Sequence, residues 1–178
     1  FSNLEIEHSS ALITKLNPFT RLDFGGIAKG YTADKMLELL KNMGLSSSSI
    51  SAGGDIVLGD PPPGKNNWKV QLIPYSDKDR NPKIIRISNA AVSTSGNTEQ
   101  SVTIKDQRYS HILNLTSGLG LIHENAATVI APSGTQSDPL ATALCIMGKG
   151  AMQMINKSPH TEAILFLKRN ELIQEVPS

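Results

Sequence analysis

Apolar and polar positions change period several times along the chain, and the changes mark its elements. Leu4-Glu5-Ile6 and Ala11-Leu12-Ile13 are short runs of strand formers. They lead through Asn17-Pro18 into Arg21-Leu22-Asp23-Phe24, so the opening reads as three short strands. After Gly25-Gly26 the period lengthens. Tyr31, Met36, Leu37, Leu40 and Met43 recur at helical spacing, which predicts an amphipathic helix stopped by Gly44. The serine run 46–49 reads as a loop, and Ile50 to Leu58 as a strand interrupted by Gly53-Gly54-Asp55. Asp60-Pro61-Pro62-Pro63-Gly64 forbids regular structure, because proline fixes φ and lacks a donor.

Strand patterns resume at Trp68 to Ile73 and Ile84 to Ile87, then at Ser101 to Ile104, Tyr109 to Leu113 and Ala127 to Ala131, with a hairpin turn around Asp106-Gln107. Ser137 is a plausible N-cap for a helix through Leu140, Leu144 and Met147 that Gly148 ends, and a further helix is expected from about Ala151 to Asn156. Glu162 to Leu167 and Leu172 to Val176 close the chain as strands. Strand runs with helices at intervals, and no regular βαβ alternation, predict an α+β fold of antiparallel sheets with packed helices.

Composition narrows the picture. With 178 residues, 39% of them apolar and 19% charged, the chain can bury one substantial core, so residues 1–178 are expected to form a single domain. Seventeen basic against sixteen acidic side chains leave a formal charge of +1, too little to hold a polyanion; no nucleic acid partner is expected. Cys145 stands alone among apolar neighbours and reads as a small buried hydrophobe. No apolar run approaches the ~20 residues of a membrane span. Phe1 in place of an initiator methionine suggests a processed or cropped product.

Three stretches carry candidate chemistry. In Leu22-Asp23-Phe24-Gly25-Gly26-Ile27-Ala28-Lys29-Gly30-Tyr31 a glycine pair precedes a helix start. Such a turn admits close approach of a ligand to the backbone, and free helix N–H groups favour phosphate. By geometry alone it is also simply a tight connection. Asp138 and Thr142 are four residues apart in the first turns of the second predicted helix, hence on one face, where two hard oxygen ligands suit Mg²⁺. The alternative is a carboxylate that answers the helix dipole. His111, in a strand pattern beside Ser110, has an imidazole able to accept a proton at neutral pH, or is structural. His8, His123 and His160 have no converging partners and read as surface residues. Aromatic content is only 4%, and Trp68 and Tyr75 read as core rather than as walls for a ligand ring.

In chain order, LDFGGIAKGYTADK, SAGGDIVLG, WKVQLI, AVSTSG, SHILNLTSG and SDPLATAL resemble the successive signature blocks of the ApbE family of FAD:protein FMN transferases. The resemblance is close from about Asp23 to Gly148. It implies a T-fold-like architecture, of which the chain lacks most of the N-terminal half. It also implies Mg²⁺ as cofactor, and FAD as the substrate whose FMN is moved to a Thr or Ser hydroxyl of a target protein, with AMP released. The acceptor implied is a subunit of a bacterial membrane redox complex. The implied location is exported, on the periplasmic or cell-envelope face, with any lipid anchor outside this chain. By the same resemblance Asp138, Thr142 and the Ala28 carbonyl match the metal ligands. Gly25, Gly26, Lys29, Asp34, Gly53, Gly54 and Asp55 match the FAD-binding positions, and His111 matches the residue that activates the acceptor. Two departures stand out: Asn114 and Leu115 replace an acid and a proline after the histidine, and Pro139 replaces a small residue in the metal helix. The rival readings are a non-catalytic FAD- or nucleotide-binding relative and a Mg²⁺-dependent FAD pyrophosphatase.

Overall fold

The structure is a computed structural model, and it describes residues 3–72, 83–96, 101–169 and 172–178. Strands β1 (Leu4–Glu7) and β2 (Leu12–Lys15) form a separate hairpin. Helix α1 (Ala28–Asn42) follows, then β3 (Ser49–Ala52) and β4 (Asp55–Leu58), joined through Gly53 and Gly54 at φ +56° and +94°. Two consecutive positive φ angles are what a tight hairpin turn requires and what glycine adopts without strain. Next come β5 (Trp68–Leu72), β6 (Lys83–Ile87), β7 (Ala90–Gly96), β8 (Ser101–Ile104), β9 (Gln107–Ser110) and β10 (Ala126–Ala131). Helix α2 (Gly134–Met147), a 3₁₀ turn (Gly148–Ala151), α3 (Met152–Lys157), β11 (Glu162–Arg169) and β12 (Leu172–Pro177) complete the chain.

Six strands form one antiparallel sheet in the order β12-β11-β10-β7-β4-β3. Its side chains alternate between two faces. On one face Ala127, Val129 and Ala131 of β10 pack with Ala141, Leu144 and Cys145 of α2, and Val57 and Ala91 pack with Ala33 and Leu37 of α1. On the other, Leu58 and Val92 are covered by Val70, Leu72 and Trp68 of the β5–β6 hairpin. The α+β expectation of antiparallel sheets with packed helices therefore holds.

Several local expectations do not. Residues Arg21–Phe24 form no strand: they run as an irregular lead into α1, with Leu22 and Phe24 exposed. Helix α1 ends where expected, but it buries Gly30, Ala33 and Leu37, while Tyr31, Met36 and Met43 face outward. Gly30 takes the position that meets the Gly134 carbonyl of α2, while Ala33 and Leu37 pack on Val57 and Ala91 of the sheet. Strand β7 was missed altogether, since Ala90-Ala91-Val92-Ser93-Thr94-Ser95-Gly96 lacks the alternation of bulky apolar residues that marks a strand. The β8–β9 hairpin turns at Lys105-Asp106, one residue earlier than expected, with φ +47° and +64°. Ile73 and Tyr75 lie outside the described residues; Trp68 is half-buried in the core and donates its Nε1–H to Asp60 O at 2.9 Å.

Ser137 is not the N-cap of α2. The helix starts earlier, behind Ser133, and Ser137 is fully buried inside it. The capping acceptor comes from α1 instead: Asp34 takes the amides of Gly134 (2.7 Å) and Thr135 (2.8 Å) and the Thr135 hydroxyl (2.6 Å). Asp138 is thus the fifth residue of α2, and Pro139 stands inside the helix rather than in its first turn. A proline there leaves the Thr135 carbonyl without its helical donor, a local cost that packing on both sides of the helix outweighs.

Candidate functional site

Helices α1 and α2 cross with their N-terminal halves in backbone contact. A Cβ on Gly30 would overlap the Gly134 carbonyl, and one on Gly134 would fall 2.5 Å from the Gly30 carbonyl. That approach brings Asp138 under the first turn of α1, where it accepts the Gly30 amide at Oδ2 (3.0 Å). Asp138 therefore does answer a helix N-terminus, but that of α1 rather than its own.

Lys29, the second residue of α1, joins this cluster. Its Nζ lies 3.0 Å from Asp138 Oδ1 and 3.3 Å from Asp55 Oδ2, and it donates at 3.4 Å to the Gly25 carbonyl. Both carboxylates are buried, while the Lys29 side chain is 38% exposed. Its stem lies over the β3–β4 turn, with Cδ 3.1 Å from where a Cβ of Gly53 would be. Burial pushes the Asp55 carboxyl up to about 6, helped by the charge of Asp138 and opposed by Lys29 and by a hydrogen bond from Ser93. For Lys29, burial acts to lower the pKa, but the hydrogen bond to Asp138 and the two negative charges outweigh it and hold the ammonium above its usual range.

The sheet side of the cluster is polar in a way the chain pattern did not disclose. Ser93 Oγ lies 2.7 Å from Ser137 Oγ, and Ser95 Oγ lies 3.1 Å from Thr142 Oγ1. Buried hydroxyls need such partners, and each serine of β7 finds its own on α2. Sequence reasoning missed Ser93, Ser95 and Ser137 as members of the site. The period-two spacing of Ser93 and Ser95 was the available signal. The Gly25-Gly26 turn closes the other side: the Gly25 amide donates to Asp23 Oδ1 at 2.7 Å, and a Cβ on Gly26 would stand 3.3 Å from Thr142 Oγ1.

Of the residues singled out from sequence, Gly25, Gly26, Lys29, Gly53, Asp55, Asp138 and Thr142 meet in one cluster, with Ala28 beside it as the first residue of α1 and Gly54 completing the turn. Asp34 lies apart, farther along α1, with both carboxylate oxygens engaged by the start of α2. His111 does not lie in a strand: β9 ends at Ser110, and His111 is exposed on the segment that follows, which folds back on itself at the Leu113–Gly120 bridge and is anchored in the core by Ile112 and Leu121. His8 and His160 are exposed as expected, but His123 is half-buried and burial lowers its pKa.

Fold and site together define a mixed α/β fold with an oxygen-rich cluster, flanked by two glycine turns, where the start of α1 meets α2. The chain belongs to the ApbE family, whose model matches residues 1–165. It is 25% identical over 152 residues to an FAD:protein FMN transferase of Klebsiella pneumoniae, covering 84% of this chain and 43% of that protein. A protein of the same description from Treponema pallidum is 28% identical over 155 residues, with 81% and 43% covered. The solved flavin transferase ApbE of Vibrio cholerae superposes with a TM-score of 0.82 at 26% identity, over 99% of this chain and 56% of that one. The chain thus spans about half the length of the relatives it matches.

Proposed function

We propose that this chain supplies the metal- and pyrophosphate-handling part of a Mg²⁺-dependent FAD:protein FMN transferase, which moves FMN from FAD to a Thr or Ser hydroxyl of a target protein and releases AMP. The observation that carries the reading is the meeting of Lys29, Asp55, Asp138 and Thr142 with the Gly25-Gly26 and Gly53-Gly54 turns in a chain of this family.

The donor set fits Mg²⁺. It is all oxygen, and two buried carboxylates face one ammonium, leaving one uncompensated negative charge. Among the described residues no three His, Cys, Asp or Glu side chains gather to hold a metal by themselves. That suits a cation which takes few protein ligands and fills its shell with water and substrate phosphate. Asp138 and Thr142, with the Ala28 carbonyl, would hold the ion, whose charge offsets that of the pyrophosphate.

The chain's own groups then have distinct tasks. The two glycine turns let the pyrophosphate approach the backbone closely. His111 accepts the proton of the acceptor hydroxyl at a ring nitrogen as the oxygen attacks the FMN phosphorus; the bond to the bridging oxygen breaks and AMP departs with it. Its exposure leaves it reachable by a protein acceptor. The acceptor, by this reading, is a subunit of a bacterial membrane redox complex, and the protein works on the periplasmic or cell-envelope face, which cell fractionation checks directly.

The test is to incubate the full-length protein with FAD, Mg²⁺ and an acceptor peptide, following AMP release and flavin attachment. Transfer gives a fluorescent adduct and AMP in equal amounts. Free FMN with AMP would instead establish a pyrophosphatase, and neither product a binding module. Asp138→Ala should abolish the Mg²⁺-dependent reaction. His111→Ala should lose transfer by ~10²–10⁴-fold while keeping FAD binding.

A further inference from the structure

The ammonium of Lys29 occupies the oxygen that a metal would need. Asp138 Oδ2 is held by the Gly30 amide, so Oδ1 is the atom left to meet a cation, and Lys29 Nζ already stands 3.0 Å from it. The same ammonium has a second anionic contact, Asp55 Oδ2 at 3.3 Å. No well-aligned hydrogen bond reaches Asp55 Oδ2, which meets Lys29 only as an ion pair. The Lys29 stem rests on Gly53, where no side chain obstructs its swing.

From this arrangement we propose that Lys29 is a built-in counter-ion which competes with the divalent cation for Asp138 Oδ1, and that Asp55 is the seat to which its ammonium moves when the metal enters. The proposal rests on the reading of Asp138 as a metal ligand. Its physical basis is charge balance. Two buried carboxylates without a cation would be costly, and the lysine neutralises one of them while no metal is bound. A divalent ion and an ammonium drawn to the same carboxylate oxygen repel each other strongly in a poorly hydrated site, so each weakens the other's hold on it. With Asp55 Oδ2 already 3.3 Å away, the ammonium gives up Asp138 by a short movement and stays paired. Metal binding is then an exchange of cations, and its affinity is set partly by how firmly Lys29 holds Asp138. Lys29 acts through Asp138 and is in this respect a positioning residue.

The experiment is a Mg²⁺ titration of the full-length protein without FAD, read by calorimetry and by the rise in melting temperature. Lys29→Gln should bind Mg²⁺ about tenfold tighter or more, with a larger Mg²⁺-induced rise, since the competing charge is gone. Lys29→Arg keeps the charge and should bind as the parent does. Asp55→Asn should weaken Mg²⁺ binding more in the parent background than in the Lys29→Gln background, because only the parent needs the second seat. Equal or weaker Mg²⁺ binding by Lys29→Gln, or Lys29→Arg tightening as Lys29→Gln does, overturns the counter-ion. Equal losses from Asp55→Asn in both backgrounds overturn the role of Asp55. If Asp138→Ala binds Mg²⁺ as the parent does, or no variant binds it, the metal reading itself fails.

Discussion

The Gly30 amide donates to Asp138 Oδ2 at 3.0 Å, and the contact forms only because neither Gly30 nor Gly134 carries a side chain where α1 meets α2. The relationship is reciprocal. Asp34 of α1 accepts the Gly134 and Thr135 amides of α2, and Asp138 of α2 accepts the Gly30 amide of α1, so each helix caps the other. Neither helix has a side-chain cap of its own: Ile27 and Ser133, at the two N-cap positions, make no capping hydrogen bond. The candidate metal ligand is thereby tied into the joint that holds the two helices together.

Gly30→Ala should be among the most damaging single changes. Its Cβ would overlap the Gly134 carbonyl and press on the Asp138 side chain at 2.9 Å, so the helices must separate. A loss of about 3 kcal/mol or more is expected from such overpacking against backbone. Urea unfolding measures it; a loss under about 1 kcal/mol, the range of tolerated swaps, would contradict the close approach.

Asp34→Ala removes the acceptor for two amides and one hydroxyl at the start of α2, and should cost about 1–2 kcal/mol, the upper range for a helix cap. Asp34→Asn keeps one acceptor oxygen and should lose less. FAD binding per folded molecule should survive both changes. If FAD binding collapsed while stability held, Asp34 would be a ligand contact rather than a cap.

The raised carboxyl of Asp55 fixes the sign of a pH effect. Its folded value of about 6 lies above its ordinary 3.8, so between these limits the folded state binds more protons than the unfolded one. This group therefore opposes folding fully above pH 6, and the penalty fades as the pH falls toward 4. Subtracting the metal-free melting temperature of the parent from that of Asp55→Asn gives a difference that should shrink from pH 7 to pH 4. A difference that grew on acidification would show that Asp55 is held ionised instead.

Cys145 is fully buried, donates to the Ser95 carbonyl at 3.0 Å, and has its thiol pushed by burial up to about 12. At pH 8 only about one thiol in ten thousand would be ionised, and thiolate is the reactive form. Iodoacetamide should leave the native protein unmodified at pH 8 and label it once in denaturant. Rapid native labelling would show an opening between α2 and β7.

Some elements were legible because their signals are local. The hairpin Ser49–Leu58 turns on a glycine pair that supplies two positive φ angles, and Gly44 and Gly148 follow helices that run out just before them. Strands β10, β11 and β12 carry apolar residues enough to be read from composition and length. The cluster residues Lys29, Asp55, Asp138 and Thr142 were legible as a set because their motif blocks lie in the family's order, a relation that periodicity alone does not contain.

What the tertiary structure alone decided are the polar elements whose partners are distant in the chain. Ser93 and Ser95 make β7 a central strand rather than a loop because Ser137 and Thr142, 44 and 47 positions away, satisfy their hydroxyls under α2. The same holds for Asp34, whose capping partners stand 100 positions ahead, and for Lys29, paired with Asp138 across 109 positions. Local period reports which face of an element is apolar. A buried hydroxyl or carboxylate is stable only where another element brings the matching donor or counter-charge, and that pairing exists only once the chain has folded.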